Sequence, residues 1–476
     1  MKKSRLLVII VAAAGLAAMV AMFECGRRAY EPPHLARKSE LSEAELKFGV
    51  APRRSSSVTY QPDVILIKGG ADRVRSVSDD GLTWTIDAGA GGASDLKVGK
   101  IMFATGRAVG RVLALRQTGQ GLAVTLGPVE LTDLVSELSF KMEQPLDMSQ
   151  VIQYEMPKLP YRPDDVTRNF ENNGFALKPA SYSVSDSPLA LQRAKSDVGF
   201  FKTWGFAGDS GVGVSGTRDA NGVRIDTGFV LALEKPSIYV NVEIHQARIT
   251  KAEIKVHGGA KWLAHFDAAG VNGVKGNIHE IVPLPVDFSF PITGPASAFP
   301  FAVTVRHVFS VKTQFTSQGA LRAKGELKIA GDFYAGYDGS KFSTSGPSFT
   351  LENNFVRDMR GVSIGPEQMV LAHEVRVIVG VGAWGFVTGP YVGLNTALVV
   401  RQGSTVGIVV CKGGAIESNL TAGVGYSMPQ PVTSAINFIL RALNAKAIQG
   451  HGGLEAARFR LFHIDDEPKA AICGGG

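Results

Sequence analysis

The sequence predicts an all-β protein: a small N-terminal β-barrel-like module followed by a large antiparallel β-sandwich or curved sheet with one C-terminal helix. Three observations support this fold class. Short segments with alternating apolar and polar residues recur from residue 58 onward. Hairpin signals such as Asp80-Gly81 and Asn221-Gly222 separate them. Hydrophobic residues make up 45% of the 476 residues and charged residues 20%, which is enough apolar material for a large buried core.

The N-terminus has the features of an export signal. A basic start of two lysines and an arginine precedes residues 6–23, an 18-residue run without charge or proline. An α-helix of this length is close to what is needed to cross a hydrocarbon core of about 30 Å, at about 1.5 Å per residue. Glu24 follows the run, and its small residues have the wrong spacing for a cleavage site. We therefore expect residues 1–28 to be a signal-anchor, with a cleaved signal peptide as the alternative.

Most of the net charge of +7 lies in the first 54 residues, which hold ten basic residues and five glutamates. The rest of the chain holds 40 basic and 38 acidic residues, so it lacks the clustered positive charge of nucleic-acid-binding proteins, and we expect no nucleic-acid partner. Residues 29–57 are predicted to be a polar tether. Within it, residues 39–48 suit a short helix, because Ser42 and Glu45 have the spacing of a capping box.

Residues 58–146 are predicted to form the small β domain. Strand-like segments occur at residues 64–67, 82–86, 100–115 and 122–126, and the last two flank a glycine-containing hairpin connection. Five or six strands within about 80 residues are typical of a compact barrel or a small sandwich.

Residues 147–194 contain five prolines between positions 157 and 188 and are predicted to be a linker or irregular loops. Residues 195–465 are predicted to form the large antiparallel β domain, and residues 466–476 a tail. Residues 237–245 alternate strictly, with isoleucine and valine on one face and polar residues on the other.

Two longer alternating segments, residues 301–315 and 321–337, are predicted to form a hairpin. A 15-residue strand spans about 50 Å at about 3.4 Å per residue, well beyond the usual length. The apolar side of such a sheet must meet a second sheet, a helix or a hydrophobic ligand. Near the end, residues 432–447 place apolar side chains at helical spacing before Gly450, which predicts one helix that packs on the sheet.

Two segments match the letters of the dinucleotide-binding glycine motif, at residues 211–216 and 380–385. The chemistry requires a helix to begin at the last glycine, because the amides of its first turn bind the pyrophosphate. The first match leads to Asn221-Gly222 and the second to Gly389-Pro390, and neither pair starts a long helix. We therefore expect no cofactor.

The catalytic candidate is Ser363, because Gly361-Val-Ser-Ile-Gly365 matches a nucleophile elbow, with His373 or His463 as its partner. The elbow belongs between a strand and a helix, whereas this region is rich in β-strand signals. A glycine-flanked turn explains the motif equally well, so the sequence isolates no catalytic group.

The metal candidates are Glu243 and His245, which share one face of a strand, although a solvated polar face needs no metal. The disulfide candidates are Cys411 and Cys473, which would share the exported compartment and tie the tail to the sheet. Two unpaired thiols are the alternative for the cysteines.

The sequence favours an exported, membrane-anchored or secreted protein with a binding or structural role in the cell envelope rather than an enzyme. Its expected partners are the membrane, through residues 6–23, and a macromolecule of the envelope. The first alternative is a carrier of a lipid or other apolar ligand, because a long one-sided sheet and a helix can enclose a groove. The second is a secreted hydrolase that acts through Ser363 or through unrecognised carboxylates.

Overall fold

A computed structural model of the protein describes the following residues: 33–155, 192–198, 201–208, 211–220, 222–270, 279–283, 286–294, 298–315, 319–353, 358, 360–363, 367–383, 386–405, 409–427, 433, 436, 437, 440, 451–455 and 459–466. These residues are nearly all β, and their sheets are almost entirely antiparallel. The all-β prediction is therefore confirmed.

Two short helices lie in the N-terminal part of the chain, α1 (Glu43–Phe48) and α2 (Leu131–Leu134). The predicted capping box begins α1: the hydroxyl of Ser42 accepts from the amide of Glu45, whose carboxylate accepts from the amide of Ser42. The helix ends at Gly49, whose φ of 85° lies in a region that favours glycine.

The first ten strands are β1 (His34–Leu35), β2 (Val58–Tyr60), β3 (Val64–Leu66), β4 (Val74–Val77), β5 (Thr83–Ile86), β6 (Ile101–Thr105), β7 (Ala108–Thr118), β8 (Gly121–Gly127), β9 (Val135–Pro145) and β10 (Ile152–Glu155). Six of them form one open sheet in the order β3-β6-β7-β8-β5-β4. Its neighbours are antiparallel except for β3 and β6. Strands β2 and β9 pair with each other, and β9 also pairs with a larger sheet described next.

The remaining strands are β11 (Gln192–Val198), β12 (Phe201–Gly208), β13 (Gly211–Ala220), β14 (Val223–His245), β15 (Arg248–Gly270), β16 (His279–Pro283), β17 (Val286–Thr293), β18 (Ala302–Phe315), β19 (Gly319–Ala330), β20 (Phe333–Tyr337), β21 (Phe342–Ser345), β22 (Ser348–Asn353), β23 (Arg360–Ser363), β24 (Glu367–Gly380), β25 (Val387–Thr405), β26 (Val409–Ser427), β27 (His451–Glu455) and β28 (Phe459–Asp466).

Two large antiparallel sheets result. The twelve-stranded sheet has the path β11-β12-β13-β14-β15-β19-β22 and includes β2, β9, β20, β21 and β23. The ten-stranded sheet has the path β1-β17-β18-β24-β25-β26-β27 and includes β10, β16 and β28. Their apolar faces pack against each other, with Phe229, Trp262 and Phe266 of the first sheet in one buried cluster with Leu371 and Leu398 of the second. Each such side chain stabilises the fold by about 1.5–3 kcal/mol.

The predicted hairpin of residues 301–315 and 321–337 is wrong. The first segment is β18, which pairs with β24 in the ten-stranded sheet, and the second includes β19, which pairs with β15 in the twelve-stranded sheet. Both strands have one apolar face, and those faces can be buried against each other only if the strands lie in opposite layers. The alternation of apolar and polar residues is the same whether two strands form a hairpin or lie in opposite sheets. It therefore could not show that the chain passes from one sheet to the other between β18 and β19.

The predicted tether is also corrected by the structure, because residues 33–57 pack on the body of the protein. Strand β1 pairs with β17 through His34 and Leu35. The amide of Arg53 donates to the carbonyl of Ala298 over 2.8 Å. The side chain of Phe48 is buried in the core of the six-stranded sheet, where it contacts Trp84. This segment therefore joins the N-terminal sheet to the large sandwich.

The C-terminal helix prediction concerns four described residues, Thr433, Ile436, Asn437 and Leu440, which are helical. Ile436 and Leu440 are buried in the core of the six-stranded sheet, together with Phe386. The helix was expected to pack on the large sheet, whereas its described buried side chains contribute to the core of the six-stranded sheet.

Within the described ranges, no helix is both long enough and apolar enough to span a membrane. The predicted anchor at residues 6–23, most of the predicted linker and nearly all of the predicted tail lie outside those ranges.

Candidate functional site

The candidate binding site is an open surface cleft of about 610 Å3, where helix α2, the turn between β14 and β15, the turn between β20 and β21, and strand β27 come together. This volume lies within the range of about 300–1,000 Å3 that ligand pockets occupy. The cleft is lined mainly by polar and charged residues: Glu130, Thr132, Arg248, Ile249, Thr250, Tyr337, Asp338, Gly339, Ser340 and Gly453.

One wall of the cleft is built by the turn that joins β14 to β15. Its central residues, Gln246 and Ala247, have φ angles of 50° and 58°. A two-residue hairpin turn requires such angles, and Asn-Gly is the pair that adopts them most easily. For other residues the left-handed conformation costs on the order of 1 kcal/mol or more, so it persists only where neighbouring groups enforce it. The turn leads directly into Arg248, which lines the cleft.

Glu137 of β9 holds this turn in place. One of its carboxylate oxygens contacts Nδ1 of His245 at 2.7 Å, and the other accepts from the amide of Gln246 at 3.0 Å. The amide of Ala247 donates to the carbonyl of Ser136 over 2.9 Å. The bond from the Gln246 amide, assisted by His245, lowers the pKa of Glu137. The strained turn is therefore fixed by tertiary contacts, and the position of Arg248 at the cleft is fixed with it.

The opposite wall is the Asp338-Gly339 turn. Oδ1 of Asp338 accepts from the hydroxyl of Ser340 at 2.7 Å and from the amides of Ser340 and Lys341 at 3.0 Å each. These bonds, the Ser340 hydroxyl first, lower the pKa of Asp338 to about 2. Gly339 has a φ of 92°, which favours glycine at this position. Asp338 therefore presents a fixed negative charge to the cleft at neutral pH.

A second carboxyl group, that of Glu130, lies at the start of α2. The amide of Glu130 donates to the side chain of Asp133 over 3.0 Å. Burial raises the pKa of Glu130, and the neighbouring Asp133 raises it further. The cleft thus holds two carboxyl groups whose pKa values are shifted in opposite directions, together with one guanidinium and several hydroxyl groups. This set can donate hydrogen bonds to a polar ligand and accept them from it.

Substitution of the two central residues of the turn can remove its backbone strain. We expect the double change Gln246→Asn and Ala247→Gly to raise the free energy of unfolding by about 1 kcal/mol, because both residues then accept positive φ at low cost. Urea unfolding monitored by circular dichroism measures this change. Glu137→Ala should then destabilise the Asn-Gly protein less than the original, since the turn no longer depends on that carboxylate. An equal loss in both backgrounds would contradict the strain argument.

The structure does not bring the predicted catalytic residues together. Ser363 is the last residue of β23, where it lies opposite Gly319 of β19. His373 is buried between the two large sheets, and Nδ1 of His463 lies 3.5 Å from the carboxylate of Glu417. The first three residues of the nucleophile-elbow motif therefore belong to a strand, and its last two lie outside the described residues.

The two predicted metal residues have different neighbours. His245 contacts Glu137 in the turn described above, whereas Glu243 lies opposite Lys251 in the register of β14 and β15. Among the described residues, no three histidine, cysteine, aspartate or glutamate side chains form a group that could hold a metal ion. Of the predicted disulfide pair, Cys411 lies on β26 opposite Gly403, and Cys473 lies outside the described residues, so that pairing stays a prediction.

The two glycine motifs have structural roles. The first, at residues 211–216, lies within strand β13. In the second, the amide of Gly382 donates to the carbonyl of Gly106 over 2.8 Å, which joins the ten-stranded sheet to the turn between β6 and β7. A side chain would not fit at either residue: a Cβ atom would lie 2.0 Å from the Phe386 oxygen at Gly382 and 2.5 Å from the Pro300 oxygen at Gly106.

A chain of buried polar rings crosses the sandwich. Nε1 of Trp262, on β15, donates to Nδ1 of His373, on β24, over 3.0 Å, and Nε2 of His373 lies 3.1 Å from Nδ1 of His307, on β18. Because the indole can only donate, His373 must carry its proton on Nε2 and donate to His307, which then carries its own proton on Nε2. Burial lowers the pKa of His307 to about 4, and burial and His307 hold the pKa of His373 well below its usual value.

A buried ion pair lies on the other face of β18. Arg306 binds the carboxylate of Asp287, on β17, through Nε at 2.9 Å and Nη2 at 2.6 Å. The guanidinium of Arg107, from the turn between β6 and β7, stacks on the ring of Tyr154 with 3.4 Å between its central carbon and the ring centroid. Arg107, Asp287 and Arg306 line a cavity of about 20 Å3, which has room for one water molecule.

The alternation of the strands revealed neither the ring chain nor the ion pair. Arg306 and Asp287 each alternate with apolar residues, which is the pattern of a solvent-facing side, so their sequence signal was weak. The cleft itself had a weaker signal, the Asp338-Gly339 turn.

No curated protein and no solved structure matches the chain. One family model, described as "Domain of unknown function (DUF8403)", matches residues 44–137, which include the six-stranded sheet and the cleft residues Glu130 and Thr132. Another, described as "Domain of unknown function (DUF8402)", matches residues 184–456, more than half of the chain, and includes the rest of the cleft lining. The cleft is therefore built jointly by the two matched regions, and the chain belongs to the DUF8402 family of domains of unknown function.

Proposed function

We propose that the protein is an exported, non-enzymatic binding protein of the cell envelope, which holds a polar envelope macromolecule in the cleft. The observation that supports this proposal is the composition of the cleft: carboxylates, a guanidinium and hydroxyl groups converge from both matched regions on a rigid surface site. The basic start and the apolar run at residues 6–23 support export and attachment to the membrane.

The two alternatives have less support. A carrier of an apolar ligand needs an open apolar interior, whereas the described inner faces of the two large sheets are covered by each other's side chains. A serine hydrolase needs a base beside its nucleophile, and the described histidines suggested for Ser363 are engaged elsewhere.

Cosedimentation with envelope material tests the proposal. The full chain is purified, mixed with the envelope fraction of the cells that produce it and centrifuged. We expect the protein to pellet with this material, and Arg248→Ala to reduce the bound fraction at least tenfold, because an exposed cleft residue can be removed without disturbing the core.

The matched control is Arg322→Ala. Arg322 is 66% exposed and pairs with Asp267 on the outer face of the twelve-stranded sheet, outside the cleft lining. This variant should bind like the original protein. Binding at background level by the original, or equal binding by the Arg248→Ala variant, would contradict the proposal.

A further inference from the structure

We infer that the ligand of the cleft is a neutral saccharide, an inference that rests on the proposed function and specifies its ligand.

The charge of the cleft disfavours an anionic ligand. Asp338 and Glu130 line it, whereas the nearby carboxylates of Asp133 and Glu137 are partnered by Arg111 and His245. The low pKa of Asp338 keeps its charge at any physiological pH. Among the described lining residues, these two carboxyl groups face a single guanidinium, that of Arg248. A phosphate, a lipid headgroup that carries phosphate or an acidic polymer would therefore meet net repulsion.

The hydrogen-bonding groups of the cleft match a polyhydroxylated ligand. A carboxylate such as that of Asp338 can only accept, and the guanidinium of Arg248 can only donate. The hydroxyl group of Thr132 can do both, whereas that of Thr250 donates to the carbonyl of Glu243 and is left to accept. A sugar hydroxyl is donor and acceptor at once, so a saccharide can pair with all three kinds of group. Tyr337, whose ring lies 4.9 Å from that of Phe342, adds aromatic surface against which an apolar sugar face can pack.

The rigidity of both walls favours binding of such a weakly interacting ligand. Hydroxyl groups exchange water for protein partners with little net gain, so affinity depends on sites whose geometry is fixed in advance. Here Glu137 fixes the turn that leads to Arg248, and three hydrogen bonds fix the carboxylate of Asp338. The volume of about 610 Å3 suits a segment of a few sugar rings.

Isothermal titration of the full chain tests the inference with defined probes. The neutral probes are oligosaccharides of β-linked glucose, α-linked glucose and N-acetylglucosamine; the anionic probes are oligogalacturonate and inorganic phosphate. We expect at least one neutral oligosaccharide to bind saturably, with an affinity at least tenfold above that of either anionic probe. Arg248→Ala should weaken that binding about tenfold or more, and Arg322→Ala should leave it unchanged.

Asp338→Asn isolates the role of the charge. Asparagine keeps the oxygen that accepts the turn's hydrogen bonds, so the wall should retain its shape while it loses its negative charge. We expect the preference for the neutral probe over oligogalacturonate to fall at least threefold in this variant. An anionic probe that binds the original protein as tightly as every neutral probe, or neutral binding that is insensitive to Arg248→Ala, would overturn the inference.

Competition separates this inference from the proposed function. If envelope material cosediments through Arg248 but none of the neutral oligosaccharides binds or competes, the envelope role stands and the saccharide inference fails. If a neutral oligosaccharide binds through Arg248 but the envelope material does not cosediment, the inference stands and the envelope role fails.

Discussion

Replacement of Asp287 by alanine is expected to lower the free energy of unfolding by about 3–5 kcal/mol, because it leaves a buried guanidinium without its counter-charge. Asp287 is 2% exposed and Arg306 is 6% exposed, and two hydrogen bonds join their side chains. The half-buried Arg107 also interacts electrostatically with this carboxylate. Inside a protein, where water cannot screen the charge, removal of one partner is far more damaging than the net stability of the pair would indicate.

Urea unfolding at pH 7 measures this loss, and Asp267→Ala provides the control. Asp267 pairs with Arg322 through the same two chemical groups, but the side chains are 29% and 66% exposed. Its removal should cost less than about 1 kcal/mol, because surface ion pairs contribute little. Asp287→Asn keeps the shape of the side chain and should still be clearly destabilising. Similar losses for the Asp287→Ala and Asp267→Ala variants would show that burial does not determine the strength of this pair.

Acidification is expected to destabilise the protein through the ring chain of Trp262, His373 and His307. Each histidine nitrogen that could take up a proton, Nδ1 of His373 and Nδ1 of His307, already accepts a hydrogen bond, so protonation must break the chain. Burial adds to this effect and lowers the pKa of His307 to about 4. The negative charge of Asp287 raises the pKa of His307, but by less than burial lowers it.

The direction of the pH effect follows from proton uptake by the unfolded chain. Unfolded histidines become protonated near pH 6.5, whereas the folded ones stay neutral to lower pH. The unfolded state therefore gains protons that the folded state does not, and stability falls as the pH drops from about 6.5 toward 4. For His307 alone the loss is of the order of 3 kcal/mol at pH 4, at about 1.4 kcal/mol per pH unit.

Unfolding free energies measured between pH 7.5 and 4.5 test this expectation. The variant His307→Leu removes one titrating ring, so the slope of its stability against pH should be shallower than that of the original protein, whatever its absolute stability. Val311→Ala is the control, because it removes a buried apolar side chain of the same strand but no titrating group, and its slope should be unchanged. Parallel curves for the original protein and the His307→Leu variant would rule out His307 as a source of the acid sensitivity.

Local patterns were enough to predict the strand content of the protein. Strict alternation in residues 237–245 corresponds to the second half of β14, and Ser42 and Glu45 cap α1 as their spacing predicts. Gly222 directly precedes β14, and Asp338-Gly339 lies between β20 and β21, as turn signals do. Such features depend on neighbours within a few residues, because a strand's faces and a helix's first turn are set by the chain's own periodicity.

The turn at Gln246 and Ala247 could not be predicted from local patterns. It has no glycine or asparagine, so its sequence does not indicate a tight hairpin. The amides of the turn donate hydrogen bonds to the carboxylate of Glu137 and the carbonyl of Ser136, which lie more than a hundred residues earlier in the chain. A tertiary contact thus stabilises a backbone conformation that the local residues disfavour.

The sequence by itself determined the all-β class, the capped helix α1 and the alternating faces of the strands, since these follow from side-chain spacing along one segment. Only the tertiary structure decided that β18 and β19 lie in opposite sheets, that His307, His373 and Trp262 meet, and that Glu130 and Gly453 line one cleft. The physical reason is that strands with the same alternation can pair in many registers and layers, and the choice among them depends on burial across the whole molecule rather than on any one segment.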